Sequence, residues 1–187
     1  MAIKVFIDQG HNPSGANAGA EGNGYREQDL VYTIGMLTAD RLRDRGFEVR
    51  VSRPTVTTQL GTSNASSLAA RTNAANAWGA DIFISLHANA SDNPSASGQE
   101  AFVYSTSSPA LGLAENILYQ LARTTGLQNR GVSARPNLYV LRRTAMPATL
   151  VELGFITNER DADLMATEPE LFAKGAADGV LAYYGML

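Results

Sequence analysis

Short apolar runs alternate along this chain with stretches in which apolar residues recur every third or fourth position. Residues 3–8 form a short β-rich run. Over 27–45, Leu30, Val31, Ile34, Leu37 and Leu42 fall at helical spacing, with Gly46 placed to stop the helix. Residues 48–52 alternate as a strand, 66–78 are Ala-rich and helical, and 81–87 (DIFISLH) read as a buried strand. A strand follows over 99–104. Ser108 and Pro109 then suit the N-cap and first position of a helix running to about residue 124. Residues 138–141 and 149–155 read as strands and 158–165 as a short helix. Thr167-Glu168-Pro169-Glu170 has the form of a capping box opening a last helix that runs to about Tyr184.

Six strands separated by helices predict a three-layer α/β/α fold, with a mainly parallel, twisted sheet between helices. The passage over 88–98 joins two strands without a helix, which allows one edge strand to run antiparallel. Residues 9–26, 53–64 and 88–98 are long polar loops, the first rich in glycine, and loops of that length in a compact fold are usually functional or mobile. No internal repeat or long linker divides the chain, so 1–187 reads as one domain.

Composition narrows the chemistry. Hydrophobic residues make up 44% and charged residues 18% of the 187, a globular balance. Fifteen Lys and Arg against 18 Asp and Glu give a net charge of −3, so no basic surplus exists for nucleic acid. The absence of cysteine excludes disulfides, thiolate metal sites and cysteine nucleophiles. The opening MAIKVFIDQG is too short in apolar residues for a signal-peptide core or a membrane span.

With only two histidines, any imidazole chemistry must use both. His11 follows the first strand and His87 ends the third, so in a doubly wound sheet both point into the crevice at the strands' carboxyl ends. Glu152 lies among Leu150, Val151, Leu153 and Phe155, where a carboxylate is costly unless paired or bound to metal. Glu27 opens the first long helix, whose N-terminus returns to the same edge. Two imidazoles and one carboxylate form the ligand set of open catalytic zinc sites, with a second carboxylate as general base. The residues leave open which of Glu27 and Glu152 is ligand and which is base. The plainer readings are a hydrogen-bonded strand-end histidine and a carboxylate that merely complements a helix dipole. That only two histidines exist and both fall at the same edge favours the metal reading, but the spacing, which holds no HExxH-type local signature, does not decide it.

These residues sit in stretches that resemble the zinc-dependent N-acetylmuramoyl-L-alanine amidases of the amidase-3 type. The resemblance rests on VFIDQGHNPSGANAGAEGNGYREQDL, AARTNAANAWGADIFISLHANA, LYVLRRTAMPATLVELGFITNERDADLM and the closing LFAKGAADGVLAYYG, in order along nearly the whole chain. It implies that His11, Glu27 and His87 are the Zn²⁺ ligands and that Glu152 is the catalytic glutamate. It implies hydrolysis of the amide between the lactyl group of N-acetylmuramic acid and L-alanine of the stem peptide. The partner would then be peptidoglycan, with action at the bacterial cell wall as a secreted autolysin or a phage endolysin. No counterpart of the inhibitory helix of regulated cell-division amidases is visible, which suits an open site, and nothing in the chain demands an oligomer.

The supporting residues are less determinate. Asp8 and Asn89 lie close enough in sequence to steady an imidazole, Asp8 reading equally well as a turn residue, and Asn89 could also touch substrate. Arg71 could meet a substrate carboxylate or form a structural salt bridge. Arg142 and Arg143 could line the groove, although a solvated loop is the preferred reading. The loops 12–24 and 88–98 would form the groove walls. Two rival functions remain: a non-catalytic peptidoglycan-binding module, and a zinc enzyme cutting a different amide. A nucleotide-binding role is disfavoured, since neither G-x-G-x-x-G nor GxxxxGK[ST] follows the first strand.

Overall fold

The computed structural model describes residues 2–187. The elements follow as β1 (Lys4–Gln9), the small strands β2 (Glu21–Gly22) and β3 (Tyr25–Arg26), α1 (Glu27–Arg43), β4 (Glu48–Val51), α2 (Asn64–Trp78), β5 (Ile82–Asn89) and β6 (Gln99–Val103). Then come α3 (Ala110–Thr125), β7 (Asn129–Ala134), α4 (Tyr139–Arg142), β8 (Ala148–Phe155), α5 (Glu159–Thr167) and α6 (Pro169–Tyr183). The main sheet has six strands in the order β4-β1-β5-β8-β6-β7. The chain leaves β1 through α1 to β4 and returns through α2 to β5, so strand order reverses between β1 and β5. That reversal opens a crevice at the carboxyl edge.

Strand alternation divides the core. Val5, Ile7, Ile84, Leu86, Val151 and Leu153 face one side, against Leu30, Val31 and Ile34 of α1, Ile117 of α3 and Phe172 of α6. Phe6, Phe83, Phe102 and Leu150 face the other, against Ala75 of α2 and Val140 and Leu141 of α4. The Phe6 and Phe83 rings stack at 5.7 Å. The same period of two carries Asp8, Ser85, His87, Glu152 and Glu100 onto the second face, toward the carboxyl edge. In the register, Asp8 is opposite Ser85, His87 opposite Glu152, and Glu152 opposite Glu100.

Four expectations require correction. Residues 138–141 are not a strand. They enter the one-turn helix α4, because a helical turn lets the neighbours Val140 and Leu141 both be buried, whereas a strand would turn one outward. The sixth strand is instead β7, whose residues are nearly all exposed and therefore show no apolar alternation. Two strands, not one, run against the rest: β6 is antiparallel to β8, β7 is parallel to β6, and β6 is interior. The β5–β6 passage never crosses the sheet, so β6 has to return, and α3 then carries the chain across to make β7 parallel to it. Neither proposed cap forms. The Ser108 hydroxyl donates to the Ser105 carbonyl, leaving Pro109 as N-cap. Thr167 is the last residue of α5, bonds back to the Asp163 carbonyl, and leaves Glu168 as N-cap of α6.

Within the first long loop, Asn23-Gly24 has positive φ at both residues and closes the β2–β3 hairpin. Asn23 Nδ2 donates to the Ile156 carbonyl at 2.8 Å, which ties the hairpin to the end of β8. The hairpin delivers the chain directly into α1, and so fixes where Glu27 begins.

Candidate metal centre

Three side chains from distant parts of the sequence meet at the carboxyl edge. Gly10 N donates to the Leu86 carbonyl at 3.0 Å, extending the β1–β5 contact by one residue. A Cβ there would stand 2.5 Å from His87 Cε1 and 2.7 Å from the Leu86 carbonyl oxygen, so only glycine leaves room for the imidazole. His11 then adopts φ 65°, the left-handed conformation that non-glycine residues enter at a cost, and its ring turns back toward β5. Glu27 is the first residue of α1; its Oε2 accepts from Ala20 N at 2.9 Å and its Oε1 from Ala88 N at 3.0 Å. The resulting separations are His11 Nε2 to Glu27 Oε1 3.0 Å, His87 Nδ1 to Glu27 Oε1 3.1 Å, and His87 Nδ1 to His11 Nε2 3.1 Å.

The hydrogen-bond partners assign the tautomers. His11 Nδ1 faces the Asn17 carbonyl at 3.2 Å, which can only accept, so Nδ1 carries the proton and Nε2 a lone pair. Ser85 Oγ donates to Asp8 Oδ2 at 2.7 Å, so it accepts from His87 Nε2 at 3.1 Å and leaves the lone pair on His87 Nδ1. Two imidazole lone pairs and a carboxylate therefore converge without a proton between them. That arrangement repels itself unless a cation sits at its centre, and the residues fit a divalent metal with a nitrogen-rich, cysteine-free donor set. Burial alone would raise the Glu27 carboxyl. Where the two imidazoles carry protons in place of a shared cation, their hydrogen bonds and charge outweigh burial and hold it well below the ordinary range.

Behind His87 runs a buried polar chain. Ser85 connects the ring to Asp8, and Asp8 Oδ1 is paired with Arg71 Nη1 at 2.6 Å, both side chains being 1% exposed. The Arg71 guanidinium also donates to the carbonyls of Gln9 and His11, each at 2.6 Å. Arg71 is thus the salt-bridge alternative of the sequence reading. It braces the turn that carries His11 and offers its charge inward rather than to a ligand. Burial tends to raise the Asp8 carboxyl, but the Arg71 charge and the bonds from Ser85 and Arg71 reverse this and hold it below its ordinary value. The stability that Asp8 contributes is therefore complete above the unfolded value of about 3.9 and drains away as pH falls through the lower folded value. Arg71→Ala strands that buried carboxylate and is expected to destabilise the fold by about 3–5 kcal/mol. Denaturant unfolding checks this; a loss under ~1 kcal/mol would show that the pair is not structural.

Glu152 lies beside this cluster on β8. Its Oε2 is buried and has no hydrogen-bond partner. Burial pushes its carboxyl well above the ordinary value, reinforced by the charges of Glu27 and Glu100. Asn89 Nδ2 donates to Glu100 Oε1 at 2.6 Å, so Asn89 holds Glu100 rather than an imidazole. A small hollow of about 160 Å³ adjoins the histidines, lined in part by Leu68, Leu138, Tyr139 and Leu150. Arg142 and Arg143 lie over the Tyr139 ring, and Arg142 lines a different hollow with Tyr104, Met146 and Pro147. Ser85 and Glu100 escaped the sequence reading. Ser85 is legible as the one polar residue within FISL, in phase with His87, whereas Glu100 carried no local signal.

Fold and site together define an α/β protein with a group of three side chains that could hold a cation at the carboxyl edge of its sheet, where the strand order reverses. The pattern of the family described as N-acetylmuramoyl-L-alanine amidase matches residues 5–182, and the chain belongs to that family of peptidoglycan hydrolases. The N-acetylmuramoyl-L-alanine amidase CwlM of Bacillus licheniformis is 33% identical over 181 residues, a match covering 95% of this chain and 67% of that protein. The amidase AmiC2 of Nostoc punctiforme superimposes with TM-score 0.85 at 30% identity, over 98% of this chain and 97% of that one. The catalytic domain of the amidase CwlV from Bacillus (Paenibacillus) polymyxa gives 0.86 at 27% identity, over 99% of each chain. The six-stranded α/β/α arrangement is common to all of these structures.

Proposed function

We propose that residues 1–187 act as one catalytic domain that hydrolyses the amide between the N-acetylmuramic acid lactyl group and L-alanine of the stem peptide. In this reading His11, Glu27 and His87 hold Zn²⁺, Glu152 handles the proton, and the protein works at the bacterial cell wall as an autolysin or endolysin. The observation that carries the reading is the meeting of three lone-pair donors beside a half-buried carboxylate whose inner oxygen, Glu152 Oε2, has no partner.

Zinc, when bound, supplies the positive charge that polarises the scissile carbonyl and acidifies an attacking water. The chain's own groups do the rest. Glu152, high in proton affinity, accepts the proton of the attacking water and delivers one to the leaving nitrogen, without which the amine cannot depart. Asn17 and the Ser85–Asp8–Arg71 chain hold both imidazoles in the tautomer that presents a lone pair. The α1 N-terminus and two backbone N–H groups keep Glu27 ionised and aimed.

Digestion of purified peptidoglycan, followed by mass spectrometry, tests the reading. Intact stem peptides with a free L-alanine N-terminus are expected, and release should stop with a chelator and resume with added Zn²⁺. A binding module would release nothing. Peptides cut within the stem, or acetate, would assign the same centre to a different amide.

A further inference from the structure

We infer that Arg135 binds a carboxylate of the leaving peptide, so that the peptide runs from Glu152 across β6 toward β7. This rests on the amidase reading and extends it to specificity. Across the sheet, the metal-ligand cluster lies over β1 and β5, and Glu152 lies one strand further, on β8. The scissile oxygen belongs on the cluster side and the leaving nitrogen on the Glu152 side. Beyond Glu152 the chain that departs with the nitrogen meets β6 and then β7.

On that face the sheet is open at its β7 edge, where Gly131 and Ser133 are exposed, while Phe102 of β6 is buried beside α4, which packs against β8. Glu100 stands opposite Glu152, and Phe102 follows on the same face of β6, roughly 7 Å further along the strand. The exposed Arg135 lays its guanidinium over the Phe102 ring at 4.9 Å. Among the described residues, Arg26, Arg41, Arg43 and Arg71 pair with carboxylates, whereas Arg135 pairs with none. The aromatic ring pre-places the guanidinium while its N–H fork stays available, the condition for capturing a carboxylate in two parallel bonds. Arg130, the arginine within β7, is spent differently: it lies over Phe155 and donates to the Ser97 carbonyl. The open face thus offers carboxylates where the peptide's new ammonium forms and a cation further on. That order of charges complements a peptide with a free N-terminus and an acidic group beyond it. The acidic group is either a side-branch carboxylate of the second residue or the C-terminal carboxylate.

Steady-state kinetics of the zinc-loaded protein test this with soluble muropeptides. One has both carboxylates free, one has the second residue's carboxylate as carboxamide, and one has the C-terminal carboxylate as carboxamide. Arg135→Gln is expected to raise KM about five- to tenfold on the fully charged substrate, with kcat, zinc content and melting temperature unchanged. One of the two carboxamides should raise the wild-type KM by the same factor and show no further loss with Arg135→Gln, which identifies the carboxylate. Arg123→Gln, an equal charge change on the outer helix α3, should leave KM unaltered. An unchanged KM for Arg135→Gln, or losses that multiply with both carboxamides, overturns the inference while cleavage by the wild type leaves the amidase reading intact. A wild type that cleaves none of the three substrates overturns both.

Discussion

Glu152→Gln is expected to keep its metal and lose about 10²- to 10⁴-fold in kcat. The substitution preserves shape and hydrogen-bonding reach but removes the carboxyl group proposed to take up and return a proton. The three proposed ligands are untouched, so zinc per chain should stay near the wild-type value. Stability should move the other way from activity. Glu152 is half-buried, with its inner oxygen unpartnered and Glu27 and Glu100 close by, and neutralising it relieves that repulsion. The melting temperature should therefore hold or rise while turnover collapses. Parallel measurement of kcat on purified wall, metal content and thermal unfolding separates this outcome from simple misfolding. A variant that turns over at near the wild-type rate would remove Glu152 from proton transfer.

His87→Ala, by contrast, should lose both metal and activity. The alanine deletes one of three converging donors and leaves His11 and Glu27, which then form an ordinary imidazole–carboxylate contact. Zinc per chain is expected to fall close to zero after dialysis, and wall digestion to fall below that of Glu152→Gln. The pattern in thermal unfolding is also specific. A chelator should lower the melting temperature of the wild type, because metal that binds only the folded state stabilises it by mass action. The same chelator should leave the melting temperature of His87→Ala unmoved. Full metal occupancy in this variant would place the cation elsewhere.

Much of the site was legible because few residues could form it. Two histidines, each at the end of an apolar run, and a glutamate inside a third run leave little freedom once the runs are strands. Glu27 was legible as a helix start, yet the residues alone did not divide ligand from base; the resemblance supplied that division. In the structure the two carboxylates differ in what surrounds them. Glu27 is met by two imidazoles and two backbone N–H groups, whereas Glu152 Oε2 meets none. Arg71 carried two readings in the sequence, and burial against Asp8 selected between them. The β7 strand was invisible because an exposed edge has no apolar face to print in the sequence, and residues 138–141 misled because two adjacent buried residues look the same in a buried strand and in a single helical turn.

By itself the sequence determined the order and type of most of the elements, the layering of helices on both faces of a mainly parallel sheet and the small set of side chains that are candidates for chemistry. These follow from local periodicity and from scarcity, both of which a linear chain displays. Only the tertiary structure decided strand order, the reversal of β6 and β7, the tautomers of the two imidazoles and the neighbours of Arg135. Each of these depends on groups brought together from across the chain, between which energies act through space and leave no mark on spacing.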